Sequence, residues 1–284
     1  MGRMRRGWQL SKESWAVVKG DRSLLVFPVI AGLGTLILVA AFGGAALGVL
    51  PSSTPVAIVL GVIGLYLVMV VTVFCNVALT ACASRSLEGV DTKASEGWAA
   101  ARGHVGPILS WAGVQLVVGA AISALQALLR EGAGPLVSSL VGGLANFAWT
   151  IATFFVIPVI ALEGLGPVDA IKRSASVVRE RWGEGVVGSA TIGGAIFLVG
   201  ILPGAALIAA GLALTGGSAA LGGVVIAVGV VIVVVAALLQ ATLTAVFRVA
   251  LYRFATRGDV AGQFSSQQLE GAFRPRRGAA AATV

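Results

Sequence analysis

At 284 residues, 57% of them hydrophobic and only 11% charged, with a mean hydropathy of +0.97, the chain is far poorer in charge than the roughly 25% of a soluble globular domain. That excludes a water-soluble enzyme or binding domain, because no core of this size hides so much apolar surface. The net charge of +8 calls for an anionic neighbour, and membrane topology explains it without nucleic acid.

Six apolar stretches, at about 24–50, 56–83, 107–129, 136–162, 186–214 and 222–251, each reach the roughly 20 residues that span a hydrocarbon core of about 30 Å. In lipid every backbone N–H and C=O needs an internal partner, so such runs are helices. A transmembrane barrel would alternate apolar and polar residues in segments of about ten, and 222–251 does not. Ahead of the first run lie Arg3, Arg5, Arg6, Lys12, Lys19 and Arg22, like the charged region of a signal peptide. A signal core is only about 7–15 residues long, whereas this run continues to Leu50, so it is expected to stay as an uncleaved first helix.

Trp8, Ser11, Trp15 and Val18 stand on one helical stripe of that opening segment, flanked by Lys12 and Lys19, a Trp and Lys mixture suited to the membrane interface. In the second span, Cys75 and Cys82 lie about 10.5 Å apart at 1.5 Å rise per residue, too far to bridge. They read as small packing residues. The 84–106 loop carries a weaker stripe of Val90, Ala94, Trp98 and Ala101. It also holds the lone histidine, His104, which has no Cys or acid at ligand spacing and reads as an interfacial loop residue.

Gln115 and Gln126, three turns apart, face one side of the third span, and Asn146 and Gln240 lie within the fourth and sixth. These four form the candidate intramembrane polar site. Interhelical hydrogen bonding, worth about 0.6 kcal/mol per group, is the plainer reading of them. No ionisable residue falls in mid-membrane, which argues against ion coupling. Glu88 and Glu163, at the ends of the second and fourth spans, are expected to cap helices or pair with nearby basic residues.

After the fourth span, Ile171, Ala175, Val178 and Trp182 recur at i, i+4, i+7 and i+11, with Lys172, Arg173 and Arg179 facing away. This predicts an amphipathic helix lying in the headgroup plane. Asp169 in its first turn suits the helix dipole and an i,i+4 pair with Arg173. Pro203 predicts a kink in the fifth span, while Pro28 and Pro158 lie near span ends. Gly44 with Gly48, and Gly200 with Gly204, have the spacing that lets helices approach closely, read here as intramolecular packing. Residues 256–284 form a tail, polar and then Ala-rich, expected to be disordered.

All but one of the twenty Lys and Arg residues fall in alternate segments, Arg130 being the exception. The positive-inside rule then places both termini and the two longer loops in the cytoplasm of a plasma-membrane protein. Lys12-Glu13-Ser14, Lys93-Ala94-Ser95 and Lys172-Arg173-Ser174 recur at intervals of 81 and 79 residues. Leu87-Glu88-Gly89 matches Leu162-Glu163-Gly164. The expected fold is therefore all-α: six transmembrane helices in three hairpin repeats, about 7–83, 88–162 and 166–251. Each repeat opens with a cytoplasmic interfacial amphipathic helix, and the whole forms one membrane domain over 1–255.

Metalloprotease, nucleophile-elbow, phosphate-loop and dinucleotide fingerprints do not occur, and Asp91, Asp169 and Asp259 stand apart. No catalytic residue, metal site or cofactor is expected. Gly7-Trp8, Ser14-Trp15, Lys19-Gly20-Asp21-Arg22 and Leu24-Leu25-Val26-Phe27-Pro28 resemble the opening of an uncharacterised six-span bacterial and archaeal membrane family, known only as a domain of unknown function. Pro158, Glu163, Ala170 and Arg173-Ser174 are similar to the membrane domain attached to some glycerophosphodiester phosphodiesterases. The resemblance covers most of 7–255, implies a helical membrane fold, and carries no catalytic residue across. The expected function is a non-enzymatic membrane scaffold or lipid-interacting module. Its contacts with anionic headgroups would come from Trp8, Lys12, Trp15, Lys19, Lys172, Arg173, Arg179 and Trp182. The alternatives are a transporter or channel for a small or amphiphilic solute and, third, an intramembrane enzyme.

Overall fold

A computed structural model describes residues 22–181 and 197–258, and every regular element among them is helical. After a 3₁₀ turn at Arg22–Leu25, α1 (Val26–Leu38) passes through a π-helical turn at Val39–Gly43 into α2 (Gly44–Val49), and α3 (Thr54–Ser86) returns. The short α4 (Ala94–Gly103) leads to α5 (Val105–Gly132) and α6 (Gly134–Ala152). Next come α7 (Val156–Glu163) and α8 (Pro167–Arg181). A second π-helical turn, Phe197–Ile201, enters α9 (Leu202–Leu214), which is followed by α10 (Ala219–Arg257).

Five helical stretches are long and apolar enough to cross a membrane: Ser23–Val49, Thr54–Ser86, Val105–Gly132, Gly134–Glu163 and Ala219–Arg257. They coincide with expected spans one to four and six. The fifth, 186–214, lies partly outside the described residues, and its described part ends in the shorter apolar α9. The stripe of Trp8, Lys12, Trp15 and Lys19, Trp182, and the tail beyond Gly258 also lie outside the described residues.

The helix ends follow from backbone chemistry. Pro55 and Pro135 sit in the first turns of α3 and α6, where a missing N–H has no intrahelical acceptor to lose. Pro28 and Pro158 are likewise the third residues of α1 and α7. The matching Leu-Glu-Gly strings both end spans: Gly89 at φ +79° and Gly164 at φ +67° take the left-handed conformation that stops a helix. The Lys-x-Ser strings are not equivalent in the two described copies. Lys93 caps the start of α4, whereas Lys172 lies in the second turn of α8.

The described residues divide into two compact units, 22–176 in the first and 177–181 with 197–258 in the second. In the first, α3 is the central helix, packed by α1, α2, α4, α5 and α7. Its first half exposes Val56, Ile58, Val59 and Val62, while Val73, Val77, Ala78, Leu79 and Cys82 near its end are buried, as are Phe27, Ile108, Trp111 and Phe155. An exposed apolar face of this kind belongs against lipid, and the buried cluster marks where short helices cover the end of the bundle. In the second unit, α9 packs along α10. There Leu221, Val224 and Val231 are exposed, whereas Phe247, Val249, Leu251 and Tyr252 are buried.

Glycine contacts correct one expectation and support another. A methyl at Gly204 would stand 3.0 Å from the Gly229 carbonyl oxygen, and one at Gly200 would strike Ala236, so this spacing does close the α9/α10 hairpin. Gly44 and Gly48 face open space; the first hairpin closes instead where Gly64 receives Phe42 from the π-turn. Pro203, where a kink is expected, follows directly on the π-turn that ends two residues upstream at Ile201. A π-turn shifts the carbonyls that a proline leaves without donors.

Candidate functional site

The chemically richest place in the first unit is the end of the bundle where α3 gives way to α4 and α7 to α8. Gly97 makes the first junction: a methyl there would lie 2.6 Å from Cys82 Sγ and Phe27 Cζ, and 2.8 Å from the Ala78 carbonyl oxygen. Only glycine lets α4 lie this close to α3. Cys82 Sγ donates weakly to the Lys93 carbonyl at 3.8 Å, and the Ser23 and Thr92 hydroxyls meet at 3.2 Å. The Trp98 ring packs edge-on against Phe74 of α3 with centroids 4.8 Å apart, and the Arg102 guanidinium stands over Trp98, 5.7 Å from its centroid. Of the expected stripe, Ala101 is buried but Val90 is exposed; the buried line runs through Gly97, which the apolar pattern does not mark.

The second junction is built by polar groups. Ser174, fully buried on α8, accepts the Phe155 N–H at 3.0 Å. The fourth span is broken at 153–155, where Pro158 has no N–H to give and α7 restarts. Ser174 satisfies a backbone donor that the break would otherwise orphan in an apolar core. Arg173 reaches Glu163 at 3.4 Å, and Asp169 pairs with Lys172 at 3.6 Å rather than with Arg173. Two independent pairs thus replace the expected i,i+4 contact. The α8 stripe is also turned by one residue: Ala170, Ser174 and Val177 are buried with Val178, while Ile171 and Ala175 are only half-buried. His104 links the two junctions: its Nδ1 lies 2.8 Å from the Ala100 carbonyl oxygen, and a methyl at Gly164 would stand 3.1 Å from its Nε2.

Three of the four intramembrane polar residues, Gln115, Gln126 and Asn146, lie in the first unit. Gln126 lies against Gly142 where α5 meets α6, and Ser138 donates to the Gln126 carbonyl at 2.6 Å. Asn146 donates to the Gly142 carbonyl of its own helix at 2.9 Å. Gln115 is half-buried further along α5, and Gln240 belongs to α10 in the other unit. The sequence pattern also gives no sign of the Trp111 and Trp149 stack, 5.8 Å between centroids, or of Tyr66 donating to the Leu109 carbonyl at 3.2 Å.

Residues 56–262 match a family of unknown function, DUF6159. The chain belongs to that family. The match begins after the Gly7-to-Pro28 strings that suggested an uncharacterised membrane family, so it rests on other residues. No curated protein and no solved structure matches the chain, and the similarity to phosphodiesterase membrane domains therefore has no support.

Family membership leaves the chemistry to the residues. Among the described residues no three His, Cys, Asp or Glu side chains gather as a metal site. The charge is unevenly spread. Residues 84–106 hold three basic and three acidic side chains and 163–185 hold four of each, whereas 1–22 and 248–284 each hold six basic and two acidic. The whole excess of +8 therefore sits at the two ends of the chain. Within the loops, Arg85 pairs with Glu96 at 2.6 Å, alongside the Arg173 and Lys172 pairs. Headgroup contact from Lys172 and Arg173 must compete with those carboxylates; Arg179 is exposed.

Proposed function

We propose that this multi-pass helical protein is a non-enzymatic membrane scaffold or lipid-interacting module, with six spans in three hairpins and both basic ends on the cytoplasmic face of the plasma membrane. The observation that carries the reading is the charge distribution: an excess of four positive charges at each end, flanking apolar helices, with electrically balanced loops between. Each basic residue held near an anionic surface contributes about 1 kcal/mol of attraction. The α4 and α8 helices then lie at the headgroup level, their buried lines toward the bundle and Lys93, Lys172 and Arg179 outward. Support also comes from Gln126 and Asn146, which both lie beside Gly142 in the α5/α6 packing.

The test compares the full chain in nanodiscs of phosphatidylcholine with and without phosphatidylglycerol. Phosphatidylglycerol is expected to raise the thermal midpoint, and salt to cancel the gain. Replacing Lys12, Lys19, Arg274, Arg276 and Arg277 by Gln is expected to abolish most of it. Equal midpoints in the two lipids would overturn the reading.

A further inference from the structure

We infer that Arg102, held on the face of Trp98, is a specific seat for the phosphodiester of one membrane phospholipid. The inference rests on the membrane reading above and adds a site to it. In the first unit, Arg85, Lys172 and Arg173 each meet a carboxylate. Arg102 does not: among the described residues no acid lies within ion-pair distance, and its partner is the Trp98 ring. Trp98 is itself fixed by Phe74 of α3 and carried on a helix that Gly97 presses against α3. The cation therefore stands on a platform anchored in the bundle.

A guanidinium lying over an aromatic face keeps its N–H fork free at the edge, the arrangement that receives two phosphate oxygens at once. Its position fits a lipid rather than a free ion. Arg102 precedes by three residues the start of α5 at Val105, where a membrane-crossing stretch begins. Val105 and Leu109, in the first turns of that stretch, are exposed at 41% and 40%, an apolar surface for acyl chains at the end of the span that Arg102 precedes. A methyl at Gly103 or Gly106 would meet nothing within 4 Å, so the approach is open. The balanced charge of 84–106 makes this seat a phosphate contact rather than part of the diffuse attraction at the chain ends.

Native mass spectrometry of the full chain in a neutral detergent, titrated with phosphatidylglycerol, tests it. Arg102→Gln is expected to weaken the tightest lipid-binding step about tenfold, the worth of one charge-assisted contact. Arg102→Lys, which keeps the charge but loses the fork, is expected to fall between. Arg85→Gln, whose guanidinium is committed to Glu96, should match the unaltered chain, and inorganic phosphate should not displace the lipid. An Arg102→Gln titration identical to the unaltered chain would overturn the seat while leaving the wider lipid reading intact. Displacement by inorganic phosphate would overturn the lipid as its occupant. Failure of the unaltered chain to retain any phosphatidylglycerol would overturn both, and the nanodisc midpoints would show it separately.

Discussion

Two positions carry more of the structure than their size suggests. At Gly97 an added methyl would meet a backbone oxygen, which cannot swing aside, as well as Cys82 and Phe27. Gly97→Ala is expected to lower stability by about 1–3 kcal/mol, read as a lower thermal midpoint in detergent, whereas Gly103→Ala on the same helix, facing open space, should leave it unchanged or slightly raised. Ser174 matters through its oxygen. Ser174→Ala leaves the Phe155 N–H without an acceptor in a fully buried site, at a cost of about 1–3 kcal/mol. Hydrogen exchange at Phe155 is expected to speed up in that variant and to remain slow in Ser174→Thr if the added methyl is tolerated. Neither role is legible in the sequence, where Gly97 is one of 39 glycines and Ser174 reads as a polar residue in a basic string. Only the identity of the facing atoms distinguishes them.

At the level of helices, small residues are informative only where a neighbour arrives. Gly204 and Gly229 approach each other's backbones, with the Gly204 carbonyl oxygen 2.8 Å from where a methyl on Gly229 would sit. Gly229→Val is expected to split the α9/α10 hairpin and reduce the folded yield in membranes, whereas Gly44→Ala, beside open space, should be silent. If both variants behaved alike in a fluorescence-detected folding assay, the close approach would not be what holds α9 to α10. The spacing of four is the same at Gly44/Gly48 and Gly200/Gly204, so sequence alone could not separate them. The α8 stripe teaches a related lesson. An apolar line at i, i+4 and i+7 is compatible with two adjacent lines 100° apart, and Ser174 draws the helix toward the one that serves the Phe155 N–H. Lines chosen for apolar content pass over a buried serine.

For the whole molecule, the charge asymmetry makes a direct prediction about topology. Single cysteines introduced at Ser53, Gly132 and Gly217, in a background without Cys75 and Cys82, are expected to react with a membrane-impermeant maleimide from outside intact cells. A cysteine at Ser95, exposed on α4, should react only after permeabilisation. Labelling of Ser95 from outside would invert or break the six-span arrangement. The two buried thiols, Cys75 and Cys82, should resist the reagent in the folded protein.

The apolar spans, their helical nature and the glycine and proline positions that start and stop them are set by the chain itself. Length against the bilayer and the satisfaction of backbone hydrogen bonds are local requirements, which need no knowledge of neighbours. The positions of five long helical stretches are accordingly readable to within about six residues, while the break at 153–155 in the fourth is not. Tertiary structure decided which face of α8 is buried, which of two equal glycine spacings is a contact, and which basic residues are neutralised by a carboxylate. It also left Arg102 on an aromatic platform, free of any acid among the described residues. Those outcomes depend on what stands opposite each side chain, and helical periodicity fixes a direction along the chain's own axis without saying what lies there.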